Sequence, residues 1–209
     1  YFDPDDFTFN SNKQDYFLFL GRVYEGKGVH VAEQVTKEIG AKLIVAGQKP
    51  DDWKFGDHVE FVGYADIEKR RELMSNAKAA FVPSMYTEPF GGVQVEMLFS
   101  GTPTITTDWG SFTENNIHGV TGYRCRTFEQ FVWAAKNIDR IDPRNCRTWA
   151  ENFTLDKVAT MYEEYFQSIL NVQTANGWYE PNDTRENLDW LKRTRPSYPE
   201  RFNYEVMDS

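Results

Sequence analysis

FVPSMYTEPFGGVQVEMLFSG, residues 81–101, decides how the chain is read. Phe81 and Val82 close a buried strand, and Pro83 and Ser84 begin a loop. A glycine turn then leads into a helix that starts near Gly91 or Gly92 and ends before Gly101. A helix start leaves backbone N–H groups unpaired at the positive end of the helix dipole, so it attracts anions. Two glycines there are expected to clear side chains away from a ligand. Glu88 precedes the helix and Glu96 lies about one turn inside it. Ionised carboxylates at those places accept hydrogen bonds from two separate groups of hydroxyls around a phosphate. The same stretch also reads as a plain strand–loop–helix connection, with Gly-Gly as a turn and Glu96 as a solvated helix residue.

Upstream, YFLFL (16–20) is a continuous apolar run, as in a parallel strand buried on both faces. Gly21 and Arg22 open a loop that reaches Lys27, and a helix follows from about Val29 to Ile39 with Val29, Ala32, Val35 and Ile39 as its apolar stripe. An arginine past a strand end and a lysine before a helix can converge on one anion at the carboxyl edge of a sheet. The Arg22 fork suits two phosphate oxygens, and Lys27 is a compact point charge. Taken singly, both also read as solvated loop charges. Strand and helix keep alternating through KLIVAG (42–47), HVEFVGY (58–64), a helix over 67–76 burying Ile67, Leu73 and Met74, AAFVP (79–83), PTITT (103–107) and a last strand near Tyr123. The pattern predicts an α/β domain, a doubly wound parallel sheet of Rossmann-like type.

PSMYTEPFGGVQVEML resembles the signature of a large retaining glycosyltransferase family that includes sucrose, trehalose and many bacterial mannosyl and glucosyl transferases. The family pattern is Pro-Ser, a short gap, Glu, Phe-Gly and a second Glu, with seven residues between the two glutamates as between Glu88 and Glu96. FLGRVYEGKG is similar to its GR…KG motif. The resemblance covers about residues 1–170 and implies one domain of the two-Rossmann-domain, GT-B type architecture. It implies that Arg22 and Lys27, with Gly21, grip the donor's pyrophosphate. Glu88 lies against the donor sugar, Glu96 binds ribose, and the backbone of Phe90, Gly91, Gly92 and Val93 faces sugar and phosphate. Val62, Gly63 and Tyr64 take the place of the base contacts, mainly through backbone, with the Tyr64 ring read as a cap on the core. Gly110-Ser111-Phe112-Thr113-Glu114 lines up with the family's Gly-Gly-x-x-Glu, departing at Ser111, and Glu114 is read as structural.

The implied activity is hexosyl transfer with retention from a nucleotide diphosphate sugar such as UDP-glucose or GDP-mannose, without a cofactor or metal. Glu88, Arg22 and Lys27 are the expected catalytic residues. The acceptor is expected to be a glycan, a lipid or a small molecule, and the resemblance places it on an N-terminal domain expected to be missing from these residues. Residues 1–14 are read as the linker from that domain, and the isolated chain is expected to bind donor while transferring little sugar. A nucleotide-sugar epimerase, a sugar phosphorylase and a non-catalytic nucleotide-sugar-binding module remain alternative readings of the same architecture.

Composition narrows the partners. The 209 residues are 40% hydrophobic and 16% aromatic, enough for a sizeable core. A formal charge of −9 disfavours a nucleic-acid partner. No apolar run is long enough for a membrane span, and none opens the chain as a signal peptide. Two cysteines, Cys125 and Cys146, with no close pair, fit reduced thiols in a cytoplasmic protein. None of His30, His58 and His118 sits in a setting that suggests a general base. A long helix from Leu155 to about Leu170 carries the stripe Val158, Met161, Tyr162, Tyr165, Phe166, Ile169 and Leu170, predicting one buried face. Residues 15–171 form the expected nucleotide-sugar-binding domain, and 172–209 an aromatic extension with one helix near 184–193.

Overall fold

The computed structural model describes residues 1–172, so the aromatic extension and its expected helix lie outside the described residues. These residues divide into two compact units, one within Pro4–Glu151 and one made of Tyr1–Asp3 with the described part of Asn152–Arg201.

The first unit holds six parallel strands: β1 (Phe17–Leu20), β2 (Leu43–Ala46), β3 (Val59–Gly63), β4 (Ala79–Val82), β5 (Thr104–Thr107) and β6 (Gly122–Cys125). Their order across the sheet is β3-β2-β1-β4-β5-β6, the doubly wound arrangement that the sequence predicts. Helices α1 (Val29–Glu38), α2 (Ile67–Asn76), α3 (Gly92–Phe99), α4 (Phe112–Asn115), α5 (Phe128–Asn137) and α6 (Pro143–Ala150) connect or flank the strands.

Period-two alternation sends successive side chains to opposite faces of the sheet. Leu18, Ile44, Ala46 and Ala80 form one buried cluster with Leu73, Met74 and Ala77 at the α2 end and Met97 of α3. On β1 and β4 the out-of-phase residues Phe17 and Phe81 bring their rings to 5.3 Å. Helix α1 buries Val29, Ala32 and Val35, three of its four expected stripe positions. Strand β3 is half-buried, as an edge strand is, with Glu60 paired to Lys42 at 2.6 Å.

Helix starts follow local chemistry. The Asp66 carboxylate accepts from the Lys69 N–H at 2.9 Å and fixes the first turn of α2. That turn holds Ile67 out in solvent at 69% exposure, contrary to the sequence expectation, while Leu73 and Met74 are buried as expected. Thr127 and Gln130 form a reciprocal capping box at the start of α5. Thr127→Ala is expected to lower unfolding stability by about 1 kcal/mol. Urea denaturation with an unchanged m-value checks this, and a change within experimental error would count against the cap.

In the second unit the Phe2 N–H donates to the Phe153 carbonyl at 3.0 Å, just before α7 (Leu155–Val172). The expected buried stripe of α7 is not buried throughout: Tyr162, Tyr165, Phe166 and Leu170 are all exposed. The periodicity marks a helix with an apolar side, and among the described residues that side is left largely open.

Candidate functional site

The order of the sheet reverses between β1 and β4, which are hydrogen-bonded neighbours whose chains depart on opposite sides. Such a reversal opens a crevice outside the strands' carboxyl ends. The β1–α1 loop (21–28) and the β4–α3 loop (83–91) therefore face each other across it. They meet at backbone level, where the Met85 N–H donates to the Gly26 carbonyl at 2.8 Å. Gly28 has φ +71°, and a Cβ there would lie 2.0 Å from the Pro83 carbonyl oxygen. A glycine is thus needed both for its left-handed backbone and for this approach.

Lys27 and Glu88 face each other across this seam. The Lys27 ammonium donates to both carboxylate oxygens of Glu88, at 3.0 and 3.3 Å, and the Ser84 hydroxyl donates to the same group at 2.9 Å. Burial pushes the Glu88 carboxyl up, but hydrogen bonding from Tyr86, Lys27 and Ser84 and the charge of Lys27 outweigh it, so its pKa is lowered. Burial likewise pushes Lys27 down, and its bonds to Tyr86 and Glu88 raise it overall. Both groups are therefore charged at neutral pH. Tyr86 completes the cluster, with the Lys27 ammonium 5.0 Å from its ring centre. Burial and its neighbours Glu88 and Tyr24 hold the Tyr86 hydroxyl protonated against the opposing pull of Lys27.

Arg22 stands apart from this pair. It is exposed, with its guanidinium 5.7 Å from the Tyr24 ring centre, and Tyr24 in turn contacts Tyr86. Glu96, one turn into α3, is paired with Arg70 of α2. Val62 and Val93 are partly buried, and both pack against the cluster shared by β1, β2, α2 and α3. Gly63 sits at the carboxyl end of β3 with φ +74°. The Tyr64 ring is 79% exposed and does not cap the core, contrary to the sequence expectation. A shallow cavity of about 610 Å³ bordered by Glu25, Gly26, His30, Trp53 and Met85 opens alongside.

The glycine turn has a different cause from the one the sequence suggests. Gly91 is left-handed with φ +75°, and its missing Cβ would lie 2.6 Å from the Phe112 ring. The space is taken by α4 rather than kept for a ligand. Phe90 leaves its ring partly exposed, while its carbonyl accepts from the Asn115 side chain at 2.6 Å. Gly92 is the first residue of α3, so the early amides of the helix point toward the crevice end of β4.

A third loop braces the second. The Trp109 indole N–H donates to the Ser84 and Tyr86 carbonyls at 3.1 and 3.2 Å, and the Ser111 N–H donates to the Glu88 carbonyl at 3.0 Å. The Ser111 hydroxyl is buried without a hydrogen-bond partner among the described residues. Beneath this loop Asp108, at the end of β5, lies between Arg124 (3.2 Å) and Arg126 (2.7 Å). Glu114 is exposed on α4.

His118 and His58 take structural places. His118 is buried and its Nδ1 accepts from the Arg124 N–H; burial and the Arg124 charge hold its pKa at about 4 against the pull of Asp108. His58 lies within 3.2 Å of the Thr36 hydroxyl. Cys125 and Cys146 are free and buried, and burial raises both thiols.

Sequence reasoning missed Arg70, Tyr86, Trp109 and the Asp108 cluster. Tyr86 stands inside the quoted motif, two residues before Glu88, and that adjacency was a usable signal. Arg70 sits in a charged run, IEKRRE, that reads as a solvated helix face.

The six-stranded Rossmann-like sheet matches one domain of glycosyltransferases with the GT-B fold. AviGT4, a glycosyltransferase involved in avilamycin A biosynthesis, superposes with a TM-score of 0.68 at 23% identity, over 81% of this chain and 56% of that one. Anabaena HepE, solved with UDP and glucose, gives 0.63 at 16% identity, over 80% and 55%. The family model "Glycosyl transferases group 1" matches residues 3–151, and the chain belongs to that family. It is also 34% identical over 122 residues to glycogen synthase of Mycobacterium tuberculosis, covering 52% of this chain and 29% of that protein. The chain spans less than half the length of the curated relatives it matches. Among the described residues no helix is long and apolar enough to cross a membrane.

Proposed function

We propose that this chain binds the donor of a retaining glycosyltransferase reaction, in which a hexose passes from a nucleotide diphosphate sugar to an acceptor hydroxyl. The supporting observation is the Lys27–Glu88 pair at the carboxyl edge of β1 and β4, beside the start of α3, in a member of this family. The diphosphate lies between the two loops and displaces Glu88 from the Lys27 ammonium. Lys27 then neutralises negative charge that grows on the departing diphosphate, helped by Arg22 and the amides of Gly91, Gly92 and Val93. Glu88, freed but still ionised, accepts from hydroxyls of the sugar and favours positive charge at its anomeric carbon. Ser111 adds a hydroxyl on the same side. Glu96 holds the ribose, and the base lies along the backbone of Val62, Gly63 and Tyr64.

Calorimetric titration with UDP, GDP and ADP, each alone and as its hexose ester, tests this. One base series binds, and its sugar ester binds more tightly than the bare diphosphate. Glu88→Gln lowers that sugar preference by about 1 kcal/mol, the worth of one hydrogen bond, while leaving the bare diphosphate bound as well or better because Lys27 has lost its competitor. Absence of binding by all six compounds refutes the donor site. A sugar preference untouched by the substitution refutes the role of Glu88.

A further inference from the structure

We infer that Arg70 is the positioning residue that makes the site selective for a ribose over a sugar lacking its hydroxyls. This rests on the assignment of Glu96 to the ribose made above. Arg70 projects from the first turns of α2 and its Nη2 contacts Oε2 of Glu96 on α3. The two side chains are 38% and 20% exposed, and a pair that open to water adds little to stability. Its location is more telling. Helix α2 begins just after Val62–Tyr64, the backbone expected to meet the base, and α3 begins at the amides expected to meet the phosphates. The pair thus bridges the elements on either side of the position where a ribose must lie.

An unpaired glutamate on a half-exposed helix face samples several rotamers. Arg70 occupies one carboxylate oxygen of Glu96 and fixes the plane of the group. The second oxygen then has one orientation in which to accept from the 2′ and 3′ hydroxyls. A carboxylate held in advance loses less freedom when the ligand arrives, so the gain falls on ligands that carry those hydroxyls.

The test compares UDP, GDP and ADP with their 2′,3′-dideoxy counterparts, titrated into the 209-residue chain and its variants. The wild-type chain prefers the ribonucleotide of its base series by roughly tenfold or more, as for hydrogen bonds to a charged acceptor. Arg70→Leu drives that ratio toward one, and Arg70→Lys, which keeps the charge without the fork, restores only part of it. A ratio is insensitive to a partly unfolded sample, since both ligands meet the same folded fraction. A wild-type ratio retained in Arg70→Leu overturns the inference, and so does an equal loss for both nucleotides at constant ratio, which makes Arg70 a general anion-binding charge. If Glu96→Gln collapses the ratio while Arg70→Leu does not, Glu96 keeps its ribose and only Arg70 loses its role. No preference in the wild-type chain removes both assignments.

Discussion

Lys27→Ala is expected to weaken UDP binding by about 1.5–3 kcal/mol, roughly ten- to a hundredfold, the loss of a hydrogen bond made by a charged group. The side chain is only a quarter exposed and is held by Glu88 and over Tyr86, so water replaces it poorly. Arg22→Ala is expected to cost less, because Arg22 is exposed and its charge is more fully screened. The ordering matters as much as the size. Titration of both variants at one ionic strength checks it, and Lys27→Ala binding as well as the wild type would refute the diphosphate assignment. A charge acting on the leaving group also has a larger effect on turnover than on binding. Loss of one preorganised electrostatic contact of this kind lowers kcat by about a hundredfold or more.

The second large effect is on stability. Asp108→Ala removes the carboxylate between two arginines and takes this ion pair from Arg124, whose side chain is fully buried. Breaking a buried pair in this way costs about 3–5 kcal/mol. The Asp108–Arg124 contact at 3.2 Å is an ion pair by distance whose alignment falls short of a hydrogen bond, so charge is its main contribution. Asp108→Leu combined with Arg124→Met is expected to recover most of the loss, since a buried pair replaced by apolar groups is often neutral. Urea unfolding of the three proteins decides. A single-variant loss below about 1 kcal/mol, the range of exposed pairs, would show that the cluster is wetter than its burial implies.

The sheet was legible in the sequence because its physics is local. Four-residue apolar runs such as FLFL and LIVA, too short for a helix and ended by glycines, read as strands covered on both faces. Lys27 and Glu88 were legible as a pair only because two motifs occur together, since neither charge alone differs from a solvated one. What stayed hidden depends on contacts between distant positions. Arg124 reads as a surface charge until Asp108 and the Thr113 carbonyl are known to surround it. Gly91 looked cleared for a ligand, and it is cleared for Phe112. Ile67 and the α7 stripe erred the other way: periodicity locates an apolar side but does not supply the surface that covers it.

The bracing of the Glu88 loop by Trp109 and Ser111 bears on how quickly a nucleotide sugar is captured. Residues already tied to a neighbouring loop need no folding step on arrival, so association is limited by encounter and orientation instead of a conformational wait. The observed rate then rises in proportion to ligand concentration without levelling off, and ionic strength slows it by screening the attraction between the anion and Lys27.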